Sequence, residues 1–121
     1  MEHVHSILLI KKDNKYLTYY DNNWKIRLFP NIKENNIEDI KKYIKDNYNI
    51  ETDNIKLLFD KVHDKYSVHH DEMRTYHHYF YEIGIELDDD LYQSLDELLQ
   101  DENILKYNSD IISYVKEYYN K

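Results

Sequence analysis

The sequence lacks cysteine entirely and contains only one glycine and one proline in 121 residues. The absence of cysteine excludes a disulfide framework, a thiolate metal site, an iron–sulfur cluster and a cysteine nucleophile. So little glycine and proline argues against a linker, a collagen-like repeat or a disordered tail. No apolar run approaches the roughly 20 residues that a membrane-spanning helix needs. We therefore expect one folded domain over residues 1–121, large enough to bury a core of its own, and no membrane association.

Among the charged side chains of the sequence, the acidic ones predominate. The chain has 24 acidic and 16 basic side chains, a formal net charge of −8, and an isoelectric point near 5.3. Because nucleic acids are bound mainly through lysine and arginine contacts to phosphate, this balance argues against generic nucleic-acid binding. An acidic surface can instead imitate nucleic acid and occupy a basic groove on a partner protein. The first residues, MEHVHSILLI, have neither the basic segment nor the cleavage site of a secretory signal, so we expect a cytoplasmic protein.

The first half of the chain predicts strands followed by a helix. Residues 3–10 end in four consecutive apolar residues, which is typical of a strand buried on both faces. Residues 15–20 predict its hairpin partner and residues 24–29 a further short strand. After these strands, Asn36 is a suitable N-cap and Asn49 a suitable left-handed residue at the far end of a helix. Between them an apolar stripe, which we expect to face the sheet, is formed by Ile37, Ile40 and Ile44.

The second half predicts two more strands and two helices. Residues 55–63 and 76–87 are strand-like, and the polar stretch 64–75 between them is interpreted as a long hairpin loop. The acidic run 88–90 ends the sheet region. Ser94 and Glu97 form a capping-box pattern that opens a helix over 95–100, and a last helix begins near residue 108. Strands and helices mixed along one chain predict an α/β sandwich with a mixed sheet.

Several of these segments together resemble the Nudix hydrolase family over nearly the full length of the chain. ILLIKKDNKYLTYY is similar to the family's opening hairpin, and Trp24 with Leu28-Phe29-Pro30 is similar to the start of its catalytic loop. YHHYFYEIGI resembles the family's long sheet strand, and LYQSLDELLQ with the final helix resembles its C-terminal part. The resemblance implies a Nudix-like α/β/α sandwich with a mixed β-sheet, in which residues 36–48 form the Nudix helix.

The same resemblance implies a degenerate catalytic box. The family's helix reads Arg-Glu-hydrophobic-x-Glu-Glu-x-Gly-hydrophobic. When Asn49 and Ile50 are taken as its closing pair, the other positions fall on Lys42 for the arginine, Tyr43 for the first glutamate, Asp46 and Asn47 for the glutamate pair, and Glu34 for an earlier glutamate. Asn31 and Ile32 stand where the family has two glycines. The candidate catalytic residues are therefore the two remaining acids, Asp46 and Glu34.

The loss of carboxylates bears on metal binding. Hydrolysis of a diphosphate near neutral pH uses Mg²⁺ or Mn²⁺ to neutralise the phosphates and to hold the attacking water. Such ions need several oxygen ligands at one point, and a helix supplies them from positions i, i+3 and i+4. Here those positions are Tyr43, Asp46 and Asn47, which offer one negative charge. We expect no resident cofactor and no metal ligands, with Mg²⁺ relevant only if residual hydrolase activity exists.

Seven histidines are the other potential metal ligands. His3 and His5 project from one face of the first predicted strand, and His77-His78 lie on the long strand. Histidine-rich strands can bind Zn²⁺ or Ni²⁺, but a site here requires His5 to meet His77 or His78 across neighbouring strands. Ordinary histidines on the face of a strand are the favoured interpretation, and a pH-dependent interaction through His69-His70 is a further hypothesis.

Three functions stay open on this sequence. The first is a non-catalytic or weakly active binder of a nucleotide, a nucleotide diphosphate or a nucleotide-sugar. The resemblance places Tyr20 and Trp24 on the base-stacking side of the Nudix pocket, and Lys42 is the third candidate ligand-binding residue. The second is a small acidic protein-interaction or inhibitor protein, for example from a mobile element. The third is a residual pyrophosphohydrolase that uses Asp46, Glu34 and a further acid such as Glu72.

Overall fold

The computed structural model describes residues 2–23, 25–67, 70–87 and 92–120. In these residues nine strands and four helices follow one another along the chain. Their bounds are β1 Glu2–Leu9, β2 Lys11–Lys12, β3 Lys15–Leu17, β4 Tyr19–Asp21, β5 Ile26–Leu28, β6 Asn31–Ile32, α1 Ile37–Tyr48, β7 Ile55–Ser67, β8 Glu72–Ile83, β9 Tyr92–Ser94, α2 Leu95–Leu98, α3 Glu102–Tyr107 and α4 Ser109–Tyr119. No helix among the described residues is long and apolar enough to cross a membrane.

The chain forms two compact units. The first comprises Met1–Ile10 and Pro30–Glu86, and the second comprises Lys11–Phe29 and Leu87–Lys121. The expectation of a single domain over residues 1–121 stays a prediction.

The first unit is built on a four-stranded mixed sheet with the strand order β6-β1-β8-β7. The central strand β1 runs parallel to β8 and antiparallel to β6, and β7 pairs antiparallel with β8. Leu8, Leu9 and Ile10 are fully buried, as predicted for an apolar run in which successive side chains alternate between two covered faces. The predicted mixed sheet and α/β fold are confirmed.

The hairpin of β7 and β8 is longer than the sequence predicted. Residues 64–75 were expected to form a loop, but β7 continues to Ser67 and β8 begins at Glu72. The two strands stay in register to the end, where Tyr66 lies opposite Met73 and Ser67 opposite Glu72. That prediction was wrong because this stretch is mostly polar and its two apolar residues in the described strands, Tyr66 and Met73, lie on separate strands. Its period of two therefore does not appear as alternating hydrophobicity.

Helix α1 follows the local signals of its sequence. The Asn36 side chain accepts a hydrogen bond of 2.8 Å from the backbone N–H of Glu38, and Asn49 ends the helix in the left-handed region with φ 56° and ψ 38°. Ile40 and Ile44 are fully buried, as predicted, whereas Ile37 is 41% exposed. The predicted stripe was therefore wrong at Ile37. This residue opens the helix at the surface, within a run, residues 33–39, in which every side chain is exposed.

The second unit contains the shorter strands and the C-terminal helices. Its sheets have the orders β2-β3-β9 and β4-β5. The buried Tyr16 ring of β3 contacts Phe29 and Tyr119, with ring centroids 5.9 and 5.8 Å apart. The predicted strand 15–20 is divided into β3 and β4, and the prediction for residues 24–29 is confirmed in its β5 part. The acidic run 88–90 lies outside the described residues.

The C-terminal helices agree with the sequence at their starts. Both hydrogen bonds of the predicted capping box between Ser94 and Glu97 are present at the start of α2. This helix ends at Leu98, two residues earlier than expected. Helix α3, capped by Asp101, was not predicted. Helix α4 begins at Ser109 as predicted, and three of its side chains are buried: Ile111, Ile112 and Val115.

Candidate functional site

The last turn of α1 holds the positions that correspond to the Nudix glutamates. The Asp46 carboxylate lies 3.4 Å from the Lys42 ammonium, and both side chains are largely exposed. The Asn47 amide donates a 2.9 Å hydrogen bond to the backbone carbonyl of Tyr43. The Tyr43 ring contacts the ring of Tyr48, with centroids 6.3 Å apart. Each of these side chains is thus engaged with its own helix.

This arrangement has limited chemical capacity. Three positions, Tyr43, Asp46 and Asn47, face one side of the helix. Asp46 carries a carboxylate, Tyr43 carries a phenol, and the amide of Asn47 is bonded to the backbone. The ion pair of Asp46 with Lys42 is an exposed i,i+4 pair, worth about 0.3–0.5 kcal/mol. The one carboxylate of these three positions is therefore already paired with the Lys42 ammonium. A divalent ion bound here would take its remaining ligands from other parts of the chain.

Glu34 lies before α1, in a segment anchored to the sheet. The Ser6 hydroxyl donates a hydrogen bond to the backbone carbonyl of Glu34, and the Tyr81 hydroxyl donates one to the side chain of Asn35. Burial raises the pKa of Tyr81, which keeps this hydroxyl protonated as a donor. The Glu34 side chain itself is exposed.

The three candidate carboxylates occupy different places in the fold. Glu34 precedes α1 and Asp46 lies in its last turn, and residues 37 to 46 of that helix span roughly 13 Å. Glu72 begins β8, where its carboxylate lies 2.6 Å from Arg74 Nε. That contact holds the pKa of Glu72 below its ordinary value. Among the described residues, no three histidine, aspartate or glutamate side chains are arranged to hold a metal ion.

The candidate ligand-binding residues are described only in part. Tyr20 lies in β4 of the second unit, opposite Arg27, and its side chain is 52% exposed. Lys42 lies on α1 of the first unit. Trp24 lies outside the described residues. The roles predicted for these three side chains therefore stay predictions.

A cluster of histidine and tyrosine rings, which sequence reasoning did not assemble, lies on one face of the four-stranded sheet. His5 stands opposite His78, and His3 opposite Tyr76, in the parallel pairing of β1 with β8. The His5 ring is stacked on both His78 and Tyr76, with centroids 5.4 and 5.8 Å apart. His63 of β7 completes the cluster, 5.0 Å from the His78 ring. We call the side of the sheet that carries these rings the His5 face.

Two histidines of the cluster share a hydrogen bond. His63 Nε2 lies 2.9 Å from His78 Nδ1, and His78 is only 8% exposed. One nitrogen must therefore donate its proton while the other accepts it. Burial, followed by the charges of Lys33 and His3, lowers the pKa of His5. The requirement that His5 meet His78 across strands is thus fulfilled, although the rings stack and do not converge on a common point.

The opposite side of the sheet, which we call the Ser6 face, has a different character. His77 projects here and its Nε2 lies 2.7 Å from an Asp60 carboxylate oxygen. Its ring stacks on Tyr79, with centroids 4.1 Å apart. Asp64, also on this face, accepts a 2.6 Å hydrogen bond from the Thr75 hydroxyl. The sequence signal that could have predicted the two faces is the placement of aspartates and lysines along β7. When residues 60–66 are taken as a strand, the aspartates project to one face and the lysines to the other.

Solved structures with a similar fold are Nudix hydrolases. An Ap4A hydrolase from C. elegans is 12% identical with a TM-score of 0.60, over 99% of this chain and 98% of that one. A NUDIX hydrolase from Nitrosomonas europaea is 12% identical with a TM-score of 0.63, over 99% and 89%. A MutT NUDIX hydrolase from Burkholderia pseudomallei is 15% identical with a TM-score of 0.54, over 81% and 87%. At these identities the likeness shows the fold alone, and the predicted Nudix-like fold is confirmed.

Sequence comparison adds no closer relative. No protein-family model matches the chain, and no curated protein sequence gives a significant match.

Proposed function

We propose that this chain is a Nudix-like domain with a degenerate catalytic box, which binds a nucleotide or nucleotide diphosphate and hydrolyses it slowly or not at all. The observation that carries the proposal is the last turn of α1. A hydrolase of this fold is expected to present several carboxylates there, but this chain presents only Asp46, which is paired with Lys42 at 3.4 Å. The donor set does not fit Mg²⁺, so no step of the proposed function runs through a metal ion.

Ligand binding would use the three candidate ligand-binding residues of the sequence analysis. The Lys42 ammonium is 76% exposed, and exchanging its contact with Asp46 for one with a phosphate costs little, since exposed pairs contribute little to stability. The half-exposed ring of Tyr20 and the indole of Trp24 supply flat apolar surfaces suited to a base. A nucleotide ligand is consistent with the Ap4A hydrolase among the similar structures. In this proposal the protein acts in the cytoplasm and has no general affinity for nucleic acid.

A thermal-shift series with nucleoside mono-, di- and triphosphates and a nucleotide-sugar tests this proposal. A bound nucleotide should raise the melting temperature in a concentration-dependent way with or without Mg²⁺, because it binds only the folded state. Trp24→Ala and Lys42→Ala should reduce that shift. Lys56→Ala, at an exposed lysine on β7, is the matched control and should leave it unchanged. Phosphate release from the same nucleotides should stay near background.

Two results would contradict the proposal in different ways. Metal-dependent turnover of about 1 s⁻¹, an ordinary enzymatic rate, that disappears in Asp46→Ala would indicate a working hydrolase. If no nucleotide raises the melting temperature at millimolar concentration, the result would favour the protein-interaction function instead.

One feature of the structure favours that second function. The β7–β8 hairpin carries large exposed apolar side chains, and the register places two of them, Tyr66 and Met73, directly opposite one another. Val62 is exposed on the same face four residues before Tyr66, and Asp60 and Asp64 flank it along β7. Exposed apolar side chains interspersed with acids suit a basic partner protein, as the acidic composition predicted.

A further inference from the structure

Strand β7 forms one edge of the four-stranded sheet, because the strand order in the described part of the chain is β6-β1-β8-β7. It has 13 residues, whereas β6 at the opposite edge has two. In an antiparallel pair, every second residue directs its backbone N–H and C=O away from the partner strand. A long edge of this kind is a template for a further strand. We call residues 59–67, which follow the irregularity between Leu57 and Phe59, the β7 edge.

The side chains of the β7 edge on the Ser6 face alternate between acidic and apolar. Asp60, Val62, Asp64 and Tyr66 follow one another at intervals of two, so all four project to this face. Each of them is exposed, and the exposed fractions of Val62 and Tyr66 are 57% and 49%. A strand added beside β7 would therefore meet a row of carboxylates with apolar side chains between them.

A second copy of this chain is a poor occupant of the β7 edge. Two copies joined through this edge would pair antiparallel about a two-fold axis, and residues from the same face of each copy would lie opposite one another. In every such register centred on residues 61 to 64, Asp60 and Asp64 lie opposite an aspartate or an uncharged residue and never opposite a cation. Like charges directly opposite destabilise a pair of strands. The sequence of the edge therefore disfavours self-pairing.

We infer that the β7 edge binds an extended segment of a partner protein in which basic and apolar side chains alternate on one face. The segment adds a strand to the sheet, with lysine or arginine opposite Asp60 and Asp64 and an apolar residue opposite Val62. Asp60 already contacts His77, and Asp64 contacts Thr75. Because a carboxylate has two oxygens and accepts several hydrogen bonds, each aspartate can keep its contact and also meet a cation.

This inference gives the protein-interaction function a specific mode and is independent of nucleotide binding. The β7 edge contains none of the candidate nucleotide-binding residues, Tyr20, Trp24 and Lys42. A nucleotide screen without hits would therefore leave it unaffected, and its own failure would leave nucleotide binding unaffected. The net charge of −8 favours the approach of a basic segment, because complementary charge speeds association.

The test uses the peptide Val-Thr-Lys-Thr-Val-Thr-Lys with blocked ends. Paired antiparallel with β7, its two lysines lie opposite Asp64 and Asp60 and its second valine opposite Val62. The peptide is titrated into the isotope-labelled full chain, and amide hydrogen exchange is followed by NMR. An added strand should slow exchange at alternate residues of the β7 edge, because only those N–H groups point away from β8. Ionic contact with the surface alone would not produce this alternation.

Charge-neutral variants test the role of the carboxylates. Asp60→Asn combined with Asp64→Asn should weaken peptide binding about threefold to tenfold, the effect of losing two cross-strand pairs of opposite charge. Both replacements keep a side-chain oxygen for the hydrogen bonds within the sheet. The matched control is Glu38→Gln combined with Asp39→Asn, which removes the same charge from exposed positions on α1. This control should leave the affinity unchanged.

Altered peptides test the two parts of the interaction on the unmodified chain. Val-Thr-Glu-Thr-Val-Thr-Glu should bind much more weakly, because its carboxylates would lie opposite those of β7. The lysine peptide is also prepared in two N-methylated forms, each blocked at one set of alternate amides. One form should bind like the parent peptide and the other should not, since only one set of N–H groups can face β7.

Four results would overturn the inference. The first is no binding of the lysine peptide at millimolar concentration, and the second is equal affinity for the lysine and glutamate peptides. The third is equal binding of both N-methylated forms, which would exclude a main-chain pairing. The fourth is protection of the β7 edge that rises with protein concentration in the absence of peptide, which would assign the edge to a second copy of this chain.

Discussion

At the scale of single residues, the chain's only glycine, Gly84, shows how one close neighbour can disfavour a larger residue at a position. A Cβ atom at Gly84 would lie 1.9 Å from the amide nitrogen and 2.5 Å from the Cγ of Asn54. The backbone N–H of Gly84 also donates a 2.9 Å hydrogen bond to the Asn54 carbonyl, which holds the two residues together. Glycine is favoured here by this close approach and not by backbone conformation, since Gly84 does not have a positive φ.

Gly84→Ala should therefore lower the free energy of unfolding by about 0.5–1 kcal/mol, because both residues are exposed and the Asn54 side chain can rotate away from the new methyl group. Because the Asn54 side chain is exposed, its removal should cost little by itself and should relieve the clash. In urea denaturation, Asn54→Ala combined with Gly84→Ala should recover most of the loss. If the two substitutions are simply additive, the contact of Asn54 is not the reason for the glycine.

Two adjacent histidines are a second example at the scale of single residues. His77 and His78 are adjacent in sequence but project to opposite faces of β8, because successive side chains of a strand alternate. His77 acquires a carboxylate partner, Asp60, at 2.7 Å, whereas His78 acquires another histidine at 2.9 Å. One residue type thus has two different hydrogen-bond partners, which the pairing of strands decides.

At the scale of elements, α1 is held by its caps and by two buried isoleucines. Its exposed side also carries ion pairs to the segment that follows it, from Lys41 to Asp53 at 2.8 Å and from Lys45 to Glu51 at 3.6 Å. Such exposed pairs contribute little to stability. The apolar contacts of Ile40 and Ile44 should therefore account for most of the energy that fixes the helix.

Ile44→Ala should cost about 2–5 kcal/mol, as for other large-to-small changes in a core. Ile37→Ala is the matched control, since it removes the same atoms from a side chain that is 41% exposed, and it should cost under about 1 kcal/mol. Chemical denaturation of the two variants measures the difference. Equal, small losses would mean that α1 is not docked through Ile44.

At the scale of the whole molecule, the described groups with shifted pKa values make the fold sensitive to acid. The pKa of His5 is lowered from 6.5, first by burial and then by Lys33 and His3. Below pH 6.5 the unfolded chain therefore binds a proton that the folded chain refuses, and unfolding becomes more favourable. The pKa of Glu97 is lowered from 4.5 by its hydrogen bonds to Ser94, so the stability that its ionised form contributes is lost as pH falls below that value.

Thermal melts in chloride buffer should accordingly show a melting temperature that falls from pH 7 to pH 5, and falls again below pH 4.5. His5→Gln should flatten the first part of this profile and leave the second part unchanged. Glu97→Gln should make the second part less steep, but not level, because the pKa of Glu72 is also lowered, and it should leave the first part unchanged. A profile that stays level between pH 7 and pH 5 would contradict the assigned role of His5.

Features that depend on neighbours along the chain could be predicted from the sequence. The caps Asn36 and Asn49, the capping box of Ser94 and Glu97, and the buried run that ends at Ile10 were predicted because a few consecutive residues provide their hydrogen bonds or their burial. The resemblance added the Nudix-like fold, which the similar structures confirm. The degenerate box could likewise be stated from the residues at 42–50, and it stays a prediction for activity measurements.

Features that depend on the register between distant strands could not be predicted and became visible in the folded structure. Residues 64–67 and 72–75 are mostly polar and become strand because each segment supplies the hydrogen-bonding partners of the other. The same register brings His63, from a stretch predicted as a strand end, to within 2.9 Å of His78. The parallel pairing of β1 then adds His5 to the cluster. Side-chain alternation is local, but which alternating faces coincide is a property of the assembled sheet, and that is why the histidine cluster was not visible in the sequence.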